Sequence, residues 1–108
     1  MSEPFVAQLR ARGTALQIVA EGAPSITVRV EMPEVWDTVK AEVSPNTAVR
    51  VLKQRALEAL YPVDEPAEEF VLKLRGWEVL NEDASIADVG ARDGSIFLLT
   101  HRRRRAVR

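Results

Sequence analysis

Apolar and polar side chains begin to alternate regularly near Ser25. Residues 26–30 and residues 39–43 both carry apolar side chains at every second position, with charged or hydroxyl side chains between them. Such alternation is typical of a β-strand with one face in a core and the other in water. Because only a short connection at residues 32–36 separates the two stretches, we expect them to pair as an antiparallel hairpin.

A helical pattern follows residues 44–47, Ser-Pro-Asn-Thr, where a proline and small polar side chains are typical of a helix start. Apolar side chains then recur at spacings of three and four, which predicts one inward helix face formed by Val49, Leu52, Ala56 and Leu60. The polar residues between them are expected to face largely outward, namely Arg50, Lys53, Gln54 and Glu58. Tyr61-Pro62 ends the helix.

Alternation returns at residues 70–75 and places Phe70, Leu72 and Leu74 on one face of a strand. Gly76 turns the chain, and residues 78–80 can form a short return strand. Ser85 can cap a helical turn that carries Ile86 and Val89 on one side and ends at Gly90.

The last apolar stretch is residues 96–100, which follow the turn dipeptide Asp93-Gly94. We expect Ile96 and Leu98 to point into the core. By strand alternation, Phe97 and Leu99 should then lie on the opposite face of the sheet, together with Val71.

Helix and sheet each need the other to bury an apolar face, so the element order predicts a two-layer α+β domain. We assign this domain to residues 25–101. Residues 1–24 form an N-terminal extension that is either flexible or contributes an extra helix or strand, and residues 102–108 form a basic tail. An extra layer formed by residues 1–24 could cover the outer sheet face.

Composition narrows the function classes. The 108 residues include no cysteine, which excludes a disulfide scaffold, a thiol nucleophile and a cysteine zinc site. Basic and acidic residues nearly balance, at 15 and 16, and no apolar run approaches the ~20 residues of a membrane span. No signal peptide pattern is present, so we expect a cytoplasmic protein.

The segment order, with its lengths, resembles the ubiquitin-like β-grasp over about residues 25–103. Four stretches resemble the corresponding parts of ubiquitin: residues 37–51, 70–76, 85–89 and 93–99. The resemblance implies a mixed four- to five-stranded sheet with one helix packed across it, the first and last strands pairing in parallel at the centre.

Within this superfamily, residues 86–95, Ile-Ala-Asp-Val-Gly-Ala-Arg-Asp-Gly-Ser, are similar to YukD/EsaB-like proteins of bacterial type VII secretion. The resemblance implies a non-catalytic adaptor or accessory module. The alternative is a bacterial protein modifier, conjugated through its C-terminus, after processing if needed, by activating and conjugating enzymes. Ubiquitin ends in two glycines, whereas no glycine follows Gly94 in this chain, which departs from the modifier pattern.

We predict a partner-binding face on the outer side of the sheet. Its core residues would be Val71, Phe97 and Leu99, because large apolar side chains on a wet strand face lack a structural role unless something covers them. Lys73 takes the place of a central isoleucine in ubiquitin's binding patch. Trp36 and Trp77 could flank the face. Its occupant would be a foreign protein or, in a homodimer, a second copy.

The basic run Arg102, Arg103, Arg104 and Arg105 is read as a solvated tail in preference to a binding site. Without interleaved aromatic side chains it does not indicate nucleic acid, and it would contact a membrane only if the natural chain continued. His101 lacks the partners of a metal or catalytic site. We therefore expect no catalytic residues, no metal, no cofactor and no enzymatic activity.

Overall fold

The computed structural model describes residues 15–19, 23–62 and 65–102 of the 108-residue chain. These residues form six strands and one α-helix: β1 (Leu16–Gln17), β2 (Ile26–Met32), β3 (Asp37–Val43), α1 (Val49–Leu60), β4 (Phe70–Leu74), β5 (Trp77–Glu78) and β6 (Ile96–His101). Short 3₁₀ turns at Pro33–Val35 and Ala67–Glu69 precede β3 and β4.

All six strands belong to one mixed sheet with the order β1-β3-β2-β6-β4-β5. Strands β2 and β3 form the predicted antiparallel hairpin, and β2 pairs in parallel with β6 at the sheet centre. The sheet has six strands where the sequence predicts four to five. The additional strand is β1, which lies in the predicted N-terminal extension and pairs in parallel with the edge of β3. Leu16 and Gln17 therefore extend the sheet sideways, and do not cover its outer face.

The core lies between α1 and one face of the sheet. The four apolar helix positions predicted from the spacing, Val49, Leu52, Ala56 and Leu60, are all buried there. From the sheet, the same core receives Val28, Val30, Val39, Ala41, Phe70, Leu72 and Leu74. This arrangement confirms the predicted α+β architecture with one helix packed on the sheet.

The predicted facing of β6 is wrong. Phe97 and Leu99 are fully buried in the core, whereas Ile96 is 47% exposed. The reason is the register with β4, in which Phe97 lies opposite Leu74 and Leu99 opposite Leu72. Side chains directly opposite each other project from the same face of a sheet, so β4 fixes the inward side of β6.

Lys53 also departs from its predicted outward position, because the residue is only 2% exposed. Its Nζ donates to the Phe70 carbonyl at 2.9 Å and lies 2.8 Å from Glu82 Oε2. Residue 53 follows Val49 by four positions and precedes Ala56 by three, so it shares the inward stripe of α1. The ammonium group stays ionically paired at the margin of the core.

The start of α1 uses backbone caps in place of the predicted polar side-chain caps. Ala48 precedes the helix and makes no side-chain capping bond. The amides of Val49 and Arg50 instead donate to the carbonyls of Ala84 and Glu82, both at 2.9 Å. These bonds satisfy helix amides that lack an intrahelical acceptor, and they fix residues 82–84 against the helix.

Candidate protein-interaction surface

The outer face of the sheet is the face that points away from α1. Strand β6 runs through its middle and presents Ile96, Leu98 and Thr100 outward, because Phe97 and Leu99 point inward. The residue pairing places Arg29 of β2 beside Ile96, and places Lys73 of β4 beside Leu98. The outer face therefore has an apolar centre line with charged strands on both sides.

The end of this face near Thr100 is occupied by the chain's own contacts, and we call it the closed half. Thr100 Oγ1 donates to Glu34 Oε2 at 2.8 Å, and the His101 amide donates to the same oxygen at 3.0 Å. Glu34 belongs to the 3₁₀ turn between β2 and β3, so these bonds fasten that turn to the end of β6.

An ion pair completes the closed half. Arg102 Nη1 lies 3.2 Å from Glu78 Oε2, and Arg102 Nε donates to the Glu68 carbonyl at 3.0 Å. Because β4 lies between β6 and β5, the Arg102–Glu78 pair crosses over β4. Val71 on the outer side of β4 is only 5% exposed and is not part of the main core. Val71, Glu78 and Arg102 line the same small cavity, and Val71 has little area left for a partner.

The other end, which we call the open half, consists of Arg29, Lys40, Lys73, Ile96 and Leu98. Ile96 is exposed and Leu98 is half-buried. Arg29 lies directly opposite Lys40 on the neighbouring strand, so two cations are adjacent. Among the described residues, none of the three cations of the open half forms an ion pair. The open half thus combines accessible apolar area with three cations that form no ion pair with a described residue.

Two carboxylates lie within the same two cross-strand rows. Glu31 of β2 pairs with Leu98 on one side and with Thr38 on the other, and Glu78 of β5 lies opposite Lys73. Three cations against two carboxylates leave these rows net positive by one charge, and Glu78 already pairs with Arg102. Attraction between this surface and a negatively charged partner follows directly from Coulomb's law, and salt weakens it.

Only some of the residues predicted to form the partner-binding face lie on the outer side of the sheet. Val71 and Lys73 lie on the outer face as predicted, whereas Phe97 and Leu99 lie in the core and cannot contact a partner from that face. Trp36 lies at the end of the β2–β3 hairpin and is 93% exposed. Ile96 and Leu98 replace the predicted pair as the apolar centre of the outer face.

Trp77 lies away from the outer face. It pairs with Leu74, an inward-facing residue, and therefore projects on the helix side of the sheet edge. There it lines a groove of about 450 Å³ together with Val79, Leu80 and Val89. Trp77 and Leu80 are both exposed, so this groove is a separate apolar feature of the molecule.

The predicted basic tail is only partly described. Arg102 is held at the end of β6, where its amide donates to the Glu69 carbonyl at 2.6 Å, so it is not part of a free tail. Arg103, Arg104 and Arg105 lie outside the described residues. The His101 ring packs edge-to-face on Phe70, with centroids 4.9 Å apart, and its Nε2 lies 3.0 Å from Glu65 Oε2.

The part of the chain that the structure describes contains no group of three or more His, Cys, Asp or Glu side chains arranged to hold a metal ion. In the same residues, no helix is long and apolar enough to cross a membrane.

No protein-family model matches the chain, and no curated protein matches its sequence. Solved structures do match its fold. A ubiquitin-like domain of an Arabidopsis thaliana protein is 18% identical, with a TM-score of 0.62, over 76% of this chain and 82% of that domain. Caldiarchaeum subterraneum ubiquitin is 19% identical, with a TM-score of 0.63, over 73% of this chain and 95% of that protein.

The ubiquitin-like domain of Plasmodium falciparum Dsk2 gives a similar result, with 22% identity and a TM-score of 0.59 over 72% of this chain and 99% of that domain. At this level of identity the similarity concerns the fold, and it agrees with the parallel β2–β6 pair and the single helix packed across a mixed sheet. The protein therefore has the ubiquitin-like β-grasp fold.

Proposed function

We propose that this protein is a non-catalytic ubiquitin-like module that acts by binding another protein through the open half of its sheet. The observation that carries the proposal is the exposed, apolar outward side of the central strand, formed by Ile96 and Leu98. In a small domain, apolar side chains on an otherwise charged sheet face are typical of a contact surface. Leu16 and Gln17 of β1 do not cover this surface, because they lie at the edge of the sheet beside β3.

Within this class we favour a YukD/EsaB-like adaptor or accessory module of a bacterial assembly. The support is the sequence of residues 86–95, which in the structure forms the turn leading into β6. Gly90 and Gly94 have φ angles of 95° and 91°, and Ile86 is fully buried. Glycine is the residue that adopts such angles without strain, so the fold itself requires part of this motif.

A protein modifier is the second candidate, and a specific observation favours it. One structural neighbour over 73% of the chain is the ubiquitin of Caldiarchaeum subterraneum. A modifier would use the same sheet face to bind its enzymes and would in addition form a covalent bond through its C-terminus. The two candidates therefore share the non-covalent surface and differ in whether a bond to the target survives denaturation.

An affinity experiment tests both. The tagged protein is produced in its source cells and recovered once under native conditions and once in denaturing detergent. For an adaptor we expect a partner that is recovered natively and lost on denaturation, whereas a modifier would give species of higher mass that persist. The double variant Ile96→Ser/Leu98→Ser should lose the native partner, and Gln54→Ser on the exposed side of α1 should keep it.

Thermal unfolding of each variant shows whether the domain remains folded. Native capture that is equal for the wild type and the folded Ile96→Ser/Leu98→Ser variant would contradict the proposed surface. The absence of any partner under native conditions, together with the absence of conjugates, would contradict the proposed function as a whole.

A further inference from the structure

The charges of the open half indicate the chemistry of its partner. Arg29 and Lys40 lie directly opposite each other on antiparallel strands, and like charges in this position are destabilising. Neither side chain is relieved by an ion pair with a described residue. A partner carboxylate placed between them would remove this repulsion and add attraction at the same time.

A third cation lies on the other side of the apolar centre line. Lys73 of β4 lies opposite Leu98, and Arg29 of β2 lies opposite Ile96. Adjacent strands are about 4.8 Å apart, so the β2 and β4 cations flank β6 across a width of roughly 10 Å. That width fits a single extended segment with an aliphatic side chain on β6 and acidic side chains on either side.

Four other described cations already have a carboxylate partner, namely Arg50, Lys53, Arg55 and Arg102. Arg75 and Arg92 form no ion pair with a described residue, but they lie between strands, outside the open half, and Arg75 donates to the Gly90 carbonyl. Arg29, Lys40 and Lys73 share one surface, where they surround the apolar side chains of Ile96 and Leu98. An acidic segment with an aliphatic anchor is complementary to both features, charge and apolar area.

We propose that the open half binds an acidic segment of its partner protein, with an aliphatic side chain on Ile96 and Leu98 and carboxylates on Arg29, Lys40 and Lys73. This inference rests on the proposed function, because it specifies the partner of the same surface. Nucleic acid fits less well. The open half has no aromatic side chain for base stacking.

The experiment is an NMR titration of the ¹⁵N-labelled protein with the capped peptide Glu-Glu-Leu-Glu-Glu. We expect amide shifts to change at Ile96, Leu98 and the paired strand positions, and the affinity to fall as salt rises. The peptide Gln-Gln-Leu-Gln-Gln keeps the anchor without charge and should bind at least ~10-fold more weakly, a loss of about 1.4 kcal/mol. A single-stranded oligouridylate serves as the nucleic-acid probe.

The charge-reversed variant Arg29→Glu/Lys40→Glu should reduce the affinity for the acidic peptide by at least ~10-fold. The matched control is Arg50→Glu/Arg55→Glu, which changes the net charge equally but lies on α1, and it should bind like the wild type. The unfolding midpoints of both variants are compared with that of the wild type. A charge-reversed variant that retains the native ¹⁵N spectrum is treated as folded.

Four results would overturn the inference: no shift at the open half, equal binding of the glutamine peptide, preferred binding of the oligouridylate, or equal loss in the α1 control. These outcomes are distinct from failure of the proposed function. A partner captured by the wild type and by Arg29→Glu/Lys40→Glu, but not by Ile96→Ser/Leu98→Ser, would leave the proposed function standing and remove only the acidic character of the partner.

Discussion

Lys53 and Glu82 form an ion pair in which the ammonium nitrogen lies 2.8 Å from the carboxylate oxygen at the edge of the core. The lysine side chain is almost fully buried, whereas the glutamate is partly accessible. The pair joins α1 to the loop before the 86–90 turn. A backbone hydrogen bond from the Arg50 amide to the Glu82 carbonyl joins the same two segments. Removal of the carboxylate would leave a buried charge with one remaining acceptor, the Phe70 carbonyl.

We therefore expect Glu82→Ala to lower the free energy of unfolding by ~2–4 kcal/mol. The neighbouring variant Asp83→Ala removes the exposed pair with Arg50 and should cost less than ~1 kcal/mol. Urea unfolding measures both. The double variant Lys53→Met/Glu82→Ala should be more stable than Glu82→Ala alone, because it also removes the unpaired charge. A double variant less stable than Glu82→Ala would contradict this account.

The facing of β6 gives a second prediction. Phe97→Ala should lower the free energy of unfolding by ~3–5 kcal/mol because it leaves a cavity between sheet and helix. Leu98→Ala, one residue later on the outer face, should cost about 1 kcal/mol, since Leu98 is only half-buried. Chemical denaturation of both variants tests the alternation. Equal losses, or the larger loss at Leu98, would contradict the register with β4.

The sequence predicts the fold well where apolar and polar residues alternate. Strands β2, β3 and β4, and the inward stripe of α1, follow directly from that alternation. Strand β6 lacks this information, because residues 96–99 are all apolar and allow either facing. Thr100 and Arg102 could have indicated the answer, since both polar side chains share the outward side with Ile96 and Leu98.

The candidate surface is less predictable than the fold because it depends on pairing between strands. Arg29 and Lys40 are 11 positions apart in the chain, and only the hairpin register makes them neighbours. The crossing of Arg102 over β4 to Glu78 likewise depends on the sheet order. The burial of Lys53 was not predicted for a different reason. Its charge suggested an outward position, although its helical spacing places it in the inward stripe.

The inward stripe of α1 gives a third prediction. Leu52→Ala should lower the free energy of unfolding by ~2–5 kcal/mol, because Leu52 is fully buried against the sheet in the middle of the helix. Gln54→Ala on the exposed side of the same helix should change stability by less than ~0.5 kcal/mol. Urea midpoints measure the difference. An unchanged midpoint for Leu52→Ala would be incompatible with the described helix packing.

A fourth prediction concerns the end of β6. Arg102→Ala removes the ion pair with Glu78 and the bond to the Glu68 carbonyl, and should cost about 1 kcal/mol. Hydrogen exchange at the Val71 amide should become faster, because the covering side chain is lost. Arg92→Ala is the control, since that side chain is exposed and the backbone amide of residue 92 still donates a hydrogen bond to Ser95 Oγ. Identical exchange at Val71 in all three proteins would show that Arg102 does not protect β4.

Trp36 gives the last prediction, because its backbone closes the 3₁₀ turn with a bond to the Pro33 carbonyl, whereas its side chain is exposed. It adopts the left-handed conformation with a φ angle of 54°, and 93% of the residue is exposed. The left-handed region costs a residue other than glycine on the order of 1 kcal/mol. Trp36→Ala keeps that strain and removes the indole ring, whereas Trp36→Gly removes both.

We therefore expect Trp36→Gly to be more stable than Trp36→Ala by up to ~1 kcal/mol, after the greater unfolded-state entropy of glycine is included. Trp36→Ala itself should be within ~0.5 kcal/mol of the wild type, because so little of the ring is buried. Thermal unfolding measures both differences. Trp36 ends the turn that Glu34 fastens to Thr100, so it lies at the closed half, and Trp36→Ala should still capture the native partner. A large loss of stability in Trp36→Ala would show that the ring packs on the domain, and lost capture by the folded variant would extend the contact surface beyond the open half.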